Sequence, residues 1–349
     1  MTDKKIAVVI LNWNGVEMMR RFLPSVVSYS QEADVIVADN GSTDDSLQML
    51  RAEFPAVRII QLDRNYGFAE GYNKALSQID HPYSILLNSD VEVSPGWLRP
   101  MLDYMESHPD IAACQPKIIK ESERASFEYA GASGGYIDWL GYPFCRGRLM
   151  GTVEEDHGQY NQPVSIFWAT GAALMVRTEL YKELGGLDAR FFAHQEEIDF
   201  CWRLHNRGYQ LMCIPQSVVY HVGGGTLNQG DPRKTFLNFR NNLLLLYKNL
   251  PLTRRWRVMP LRCVLDYVAA LQMCLTGHHK DALAVLHARQ EFSHIRHEFD
   301  DKRDAELQAQ RKQEAVSGHK FDIPEIMPSS LLWQYYVKGR THFSQLKWK

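Results

Sequence analysis

The six cysteines of this 349-residue chain (Cys114, Cys145, Cys201, Cys213, Cys263 and Cys274) form no C-x-x-C pair, so nothing in their spacing points to a metal site. A chain this long needs no disulfide scaffold, and a reducing, cytoplasmic setting is expected. Positive charge is not in surplus: 39 Lys and Arg face 41 Asp and Glu, and the net charge of -2 offers no global field for nucleic acid. Uninterrupted apolar runs of about 18 residues, the length of a membrane span, are missing too. The nearest candidate, residues 263–275, is short and contains Asp266, so a span is not expected. Residues 6–11 are too few for the core of a signal peptide and suit a buried strand. No internal repeat is visible. What remains is the composition of a globular protein, 45% hydrophobic and 23% charged, with room for one large α/β unit and something smaller.

Strand and helix patterns alternate over the first quarter of the chain. Residues 6–11, 34–38, 57–62 and 84–87 read as strands, and residues 16–28, 47–54 and 68–79 as helices. Such alternation implies βαβ units and a parallel sheet, whose ligands sit beyond the carboxyl ends of its strands. The polar clusters at residues 12–15, 39–42 and 88–90 all fall at such ends. Residues 121–162, rich in Gly, Tyr and charge, show no period and read as irregular active-site structure with a hairpin around 141–151. A strand is expected over 164–176, helices over 178–184 and 195–208, and strands over 210–214 and 218–221. Residues 238–250 are apolar on one side, and basic helical segments continue to about residue 313. Within these, the charged, Gln-rich residues 305–315 read as a solvated helix or a mobile segment.

Four constellations carry chemistry. Asp39 ends a strand and precedes Asn40, Gly41 and Ser42, so its carboxylate can accept from a pyrimidine N–H or a ribose hydroxyl. An Asx turn capping the next helix accounts for the same residues. Asn88-Ser89-Asp90 offers hard oxygen ligands for Mg²⁺ or Mn²⁺ on a diphosphate, with simple loop capping as the plain alternative. On a helix, Glu196, Asp199 and Arg203 share one face and Ile198 and Trp202 another, so Glu197 points away from Asp199. A carboxylate there can deprotonate a hydroxyl. Helix-dipole acids and an Asp199–Arg203 pair explain the charges, though not the aromatic lead-in of Phe191 and Phe192. Finally, His221 leaves a strand into Gly223-Gly224-Gly225, where it can reach a metal or a phosphate.

In this order, Val8-Val9-Ile10-Leu11-Asn12-Trp13-Asn14-Gly15, the Asp-Asn-Gly-Ser turn, Asn-Ser-Asp and Glu-Glu-x-Asp resemble family 2 glycosyltransferases with the GT-A fold over roughly residues 4–250. Asn65-Tyr66-Gly67-Phe68-Ala69 with Asn73-Lys74 is similar to a branch of bacterial rhamnosyl- and galactofuranosyltransferases. The resemblance implies an α/β, Rossmann-like, mostly parallel mixed sheet flanked by helices over residues 1–250, and a helical C-terminal extension over 251–349. It implies inverting transfer of a sugar from a dTDP-rhamnose-like or UDP-sugar donor to a hydroxyl of a saccharide or lipid-linked acceptor, in cell-surface glycan synthesis, with Mg²⁺ or Mn²⁺.

Carried over by position, Asp39 takes the place of the nucleotide acid, among Asn12, Asn14, Asn40, Gly41, Asn65, Gly67, Asn73 and Asn88 on the donor side. Asp90 matches the last acid of the DxD motif and His221 the metal histidine. Glu197 matches the base of the ED motif, with Glu196 its rival, and Trp168, Thr170, Gly171 and Asp199 fall on the acceptor side. The sequence departs from the family pattern twice. Asn88 opens the metal triplet, leaving Asp90 and His221 as principal ligands, and the base is Glu, one methylene longer than Asp.

Two other classes compete. A nucleotidyltransferase would carry a basic Gly-rich signature after the first strand, and residues 12–15 hold no Lys or Arg. An inactive carbohydrate-binding protein would have no need of Asp90, Glu197 and His221 together. In the last third, apolar faces over 238–247 and 256–275 lie beside Arg240, Lys248, Arg254, Arg255, Arg257 and Arg262. Such helices suit peripheral contact with the inner face of the plasma membrane, or else they cover the catalytic part or form a homodimer interface.

Overall fold

The structure, a computed structural model, describes residues 4–223 and 231–348. Gly224 and Gly225 of the glycine run therefore lie outside the described residues. The chain opens as β1 (Ile6–Asn12), α1 (Val16–Tyr29), β2 (Ala33–Asp39), α2 (Ser46–Glu53), β3 (Arg58–Gln61), α3 (Gly67–Leu76) and β4 (Tyr83–Asn88). Then come β5 (Val91–Val93), α4 (Leu98–Ser107) and β6 (Ile111–Lys120). A run of short strands follows: β7 (Gly135–Asp138), β8 (Pro143–Cys145), β9 (Arg148–Leu149), β10 (Thr152–Val153) and β11 (Val164–Ser165). Next are β12 (Ala173–Arg177), α5 (Thr178–Glu183), α6 (Glu196–His205) and β13 (Gln210–His221). The last part is helical: α7 (Pro232–Asn249), α8 (Leu252–Leu275), α9 (His279–Ile295) and α10 (Asp300–Ser317), then a short β14 (Ile326–Met327).

Among the described residues the large sheet runs β11-β13-β6-β12-β4-β1-β2-β3, with β5 beside β13. Strands β3, β2, β1 and β4 are parallel, and β12 enters antiparallel between β4 and β6. β1 is apolar from Ile6 to Leu11 because both its faces are covered. Ile6, Val8 and Ile10 pack with Met19 and Leu23 of α1, while Ala7 and Val9 face Ala69 and Tyr72 of α3. The chain steps outward from β1 to β2 and β3, then returns to place β4 on the other side of β1. That reversal opens a crevice beyond the carboxyl ends of β1 and β4, where Asn12 and Asn88 stand.

The hairpin expected around residues 141–151 is β8–β9, part of a second sheet ordered β10-β9-β8-β7-β14. Three expectations are corrected. The strand over 164–176 exists only at its two ends, since residues 166–172 are buried as irregular backbone, with Trp168 bridged to Gly135. The two strands ending at His221 are one, bulged between Ile214 and Val218. And α10 is the expected helix, exposed over much of 305–315, but one stripe of it is not solvated. Its Glu306 pairs with Arg207 at 2.7 Å and Asn206 at 2.9 Å, while Gln310 donates to Asn206 and to the Asn249 carbonyl. Helix α7 is covered on more than one side: Leu243, Leu244, Leu245 and Leu246 are all fully buried, each worth about 1.5–3 kcal/mol.

Candidate active site

The turn after β2 is built from side chains that bond to one another. Asn12 donates to Asp39 and to the Ser42 hydroxyl, both at 3.2 Å, and Asp39 accepts from the Ser42 N–H at 3.1 Å. That bond reaches three residues on, and α2 begins only at Ser46 behind Asp45, so Asp39 braces the turn without capping the next helix. Asn14 accepts from the Thr43 N–H at 2.7 Å, locking the loop after β1 against the loop after β2. Asn40 reaches the next turn, donating to Asn65 and to the Gly67 carbonyl and accepting from the Tyr66 N–H. Gly41 sits at φ +71°, and a Cβ there would lie 2.5 Å from the backbone of Arg64, so no other residue fits. These residues stand at the ends of β1 and β2, with Asn12, Asp39 and Asn40 buried.

Asn73 is a correction. Its amide donates to the Leu187 carbonyl and its oxygen accepts from the Leu187 N–H and the Tyr181 hydroxyl, so it fastens α3 to a loop instead of facing a donor.

Beside the crevice, at the ends of β4 and β13, lies a cavity of about 570 Å³. Asn88, Asp90, His221, Glu196, Glu197 and Trp168 all line it. Asp90 and His221, brought together by the antiparallel pairing of β5 with β13, stand 3.2 Å apart, well inside the span of two ligands on one ion. On the other side of the ring, Glu128 lies 3.6 Å from His221 Nδ1, while one of its oxygens accepts from the Ala130 N–H. Burial opposes a charge on this imidazole, but the two carboxylates outweigh it and raise its pKa to about 10. The pocket between Asp90 and Glu128 thus favours positive charge. Among the described residues no three His, Cys, Asp or Glu side chains form a preformed metal cage. Mg²⁺ is usually held by one or two carboxylates, substrate phosphates and several waters, so a site with few protein ligands does not need a preformed cage.

At the start of α6, burial pushes the Glu197 carboxyl up to about 7. Burial first, and then the neighbouring Glu197, pushes Glu196 well above the usual carboxylate range. One oxygen of each is buried without a hydrogen-bond partner, as is His194 Nε2. The backbone entering α6 is strained: Phe192, His194 and Gln195 lie at φ +67°, +70° and +71°. Asn241 of α7 holds it there, its amide within 2.7–2.9 Å of the carbonyls of Phe191, Ala193 and His194.

Thr170 and Gly171 also line the cavity. Asp199, expected on the acceptor side, does not. It is fully buried against Arg203 at 2.9 Å, Lys248 at 2.8 Å and Asn249 at 3.0 Å. Glu128 and Asn241 were missed by sequence reasoning. The first lies in the aperiodic stretch and the second on a helix read for its leucines.

The family profile of glycosyl transferase family 2 matches residues 7–185, just over half the chain. An N-acetylglucosaminyl-diphospho-decaprenol L-rhamnosyltransferase of Mycobacterium tuberculosis is 26% identical over 238 residues, covering 63% of this chain and 76% of that protein. A solved structure of Staphylococcus aureus TarS residues 1–349 in complex with UDP-GlcNAc superposes with a TM-score of 0.56 at 14% identity, over 90% of this chain and 92% of that one. GalNAc-T7 solved with UDP, GalNAc and Mn²⁺ also gives 0.56, at 17% identity, over 70% of this chain and 48% of its own. These likenesses place the fold in the GT-A class.

Proposed function

The chain belongs to glycosyl transferase family 2, and from that premise we propose that it is an inverting, metal-assisted enzyme acting on a nucleoside-diphosphate sugar. Its relatives include a rhamnosyltransferase, which favours a dTDP-rhamnose-like donor, while the UDP-sugar of a structural neighbour keeps that class in view. A saccharide or lipid-linked acceptor fits the activity for which the same relative is named. The single observation that carries the reading is the meeting of Glu196 and Glu197 with Asp90 and His221 in one cavity, next to the crevice at the carboxyl ends of β1 and β4.

In this reading Glu197 accepts the proton of the acceptor hydroxyl, and that oxygen forms its bond to the anomeric carbon. The carbon–oxygen bond to the diphosphate breaks on the opposite face, its electron pair leaving with the nucleoside diphosphate. One displacement inverts the centre. A base near neutrality is matched to this task. Asp90 and His221 would hold Mg²⁺ or Mn²⁺, which when bound neutralises charge on the leaving diphosphate. Glu128 keeps the His221 ring in place from behind, the usual part of a carboxylate beside a metal-binding histidine. Trp168, held by its N–H to the Tyr136 carbonyl, offers a fixed wall to a sugar, and Thr170 and Gly171 continue it. A cytoplasmic location suits the described cysteines, all free thiols and four of them buried.

The test is a titration of UDP, GDP and dTDP with and without Mn²⁺, followed by a mass-spectrometric donor screen. Metal-dependent binding of one nucleotide and transfer from its sugar support the proposal. Binding of nucleoside triphosphates in preference to diphosphates would favour a nucleotidyltransferase instead.

A further inference from the structure

Helix α8 wears its polarity inside out. Its buried stripe carries Val258, Arg262, Asp266 and Ala270, spaced four residues apart. Arg262 donates to the Leu140 carbonyl at 2.9 Å and to Asn242, and Asp266 receives Arg289 of α9 at 2.6 Å. Arg262 also reaches the wall of the candidate active-site cavity, beside Asn242 and Tyr142. The outward stripe is aliphatic: Leu261, Val264, Val268, Leu271 and Leu275 recur at helical spacing and are 37–79% exposed, with Trp256 74% exposed nearer the N-terminus.

The helix is 24 residues long, apolar and long enough to cross a membrane, a length hidden from the sequence reading by the charges within it. A spanning helix, however, meets lipid all round, and α8 is tied down along its inner stripe, so only one face is open. Charge around that face is one-sided. Residues 252–290 hold six Arg and Lys against two Asp, although Arg262 is buried and Arg289 is paired with Asp266. Of these two, Asp266 is fully buried and Asp281 is bonded to Thr235. Arg257 at one end of the stripe and Lys280 beyond the other are exposed.

We infer that the outer face of α8 seats the protein on an anionic lipid surface, with the aliphatic stripe in the interface and the flanking cations on headgroups. A second copy is the poorer occupant. A two-fold axis across the stripe would set Arg257 of one copy against Lys280 of the other, like charge on like, with no exposed acid on this face to relieve it. Because the inner face of the same helix lines the cavity, docking would hold the proposed acceptor site close to the bilayer. That last link rests on the glycosyltransferase reading; the docking face does not.

The test uses the full chain, vesicles of phosphatidylglycerol or of phosphatidylcholine, and the variant Val264→Glu/Val268→Glu/Leu271→Glu, whose positions are exposed and outside the cavity. Expected is co-sedimentation with phosphatidylglycerol, weakened by salt, and a loss of about tenfold or more in the variant at unchanged helical content. Should the triple variant misfold, Arg257→Ala/Lys280→Ala reads the same face, and its binding should lose most of its salt dependence. Indifference of the wild type to both vesicles overturns the inference. So does a wild-type dimer that the variant turns into a monomer while neither binds vesicles, since a second copy then covers the stripe. Nucleotide binding is measured in parallel: its absence beside intact vesicle binding would sink the catalytic proposal and leave the docking face standing.

Discussion

At the ends of β1 and β2 the polar side chains spend themselves on one another, Asn12 on Asp39 and Ser42, Asn14 on Thr43, Asn40 on Asn65 and Gly67. At the start of α6 the opposite holds. Glu196, Glu197 and His194 each keep a buried polar atom without a partner, where the lead-in to α6 bends into the left-handed region at Phe192, His194 and Gln195. A buried polar atom left unpaired costs about 1–3 kcal/mol, and each strained residue a similar amount. The first bank of the cleft is thus nearly finished before any ligand arrives, with Asn12 Oδ1 the one atom of that network buried without a partner, while the second is held ready for a group that is to be bound or deprotonated. The difference teaches where substitutions should cost rate and where they should cost stability.

The largest effect should come from Glu197→Gln. If the carboxylate takes the acceptor proton, nucleotide affinity stays and kcat falls about 10²–10⁴-fold. Glu196→Gln is the control in the same steady-state assay. A dead Glu196→Gln beside a normal Glu197→Gln would move the base by one residue.

Next is pH. With Glu197 raised to about 7, kcat/KM should climb about tenfold per unit below neutrality and flatten above it, roughly fiftyfold from pH 5 to pH 7. The sign for stability is reversed. The folded carboxyl holds its proton more tightly than the unfolded one, whose value is 4.5, so stability is highest at low pH and declines as pH rises from there towards 7. Glu197→Gln should therefore melt higher than the wild type at pH 8 and show little gain at pH 4. An unchanged melting difference across that range would mean that the carboxyl is solvated in the folded chain.

Asn241→Ala should come third, a fall of about ten- to a hundredfold in kcat with nucleotide binding kept. Three carbonyls lose the amide that holds residues 191–194 in their strained path, and the α6 acids move with them. Asn241→Asp should be no better, because a carboxylate faces those carbonyls with no hydrogen to give. Full activity in either variant would show that the strain is held elsewhere.

How much of this could be read from the chain follows the same division. The β1–α1–β2 alternation, the Asp39 turn, the Asn88–Asp90 tip and the Glu196–Glu197 pair are local patterns, and local patterns survive in one dimension. Asp199 was misplaced because helical spacing puts it on a face without saying what covers that face, and Lys248 does. Glu128 meets His221 only through the fold, from a stretch with no period to mark it. The buried stripe of α10 escaped because it is polar: Glu306 and Gln310 are interior residues with the composition of a surface. Periodicity finds apolar faces, so a helix docked through hydrogen bonds looks solvated.

The smallest effect on catalysis belongs to Asn73→Ala, and it separates the two banks most cleanly. Asn73 resembles a donor contact in sequence, yet both ends of its amide are engaged, with the Leu187 N–H at 2.9 Å, the Leu187 carbonyl at 2.8 Å and the Tyr181 hydroxyl at 2.8 Å. Tyr181 is buried, so truncation leaves its hydroxyl and the Leu187 backbone groups short of partners, at a cost of about 1–3 kcal/mol. Nothing in that network faces the cavity, so kcat and the nucleotide dissociation constant of the folded enzyme should stay within about twofold of wild type while the denaturant midpoint drops. Asn73→Asp keeps the acceptor but not the donor, so it should recover the bonds from Leu187 N–H and Tyr181 and part of the stability. A variant that folds as firmly as the wild type but binds nucleotide poorly would put Asn73 back on the donor, and with it the expectation drawn from the family resemblance.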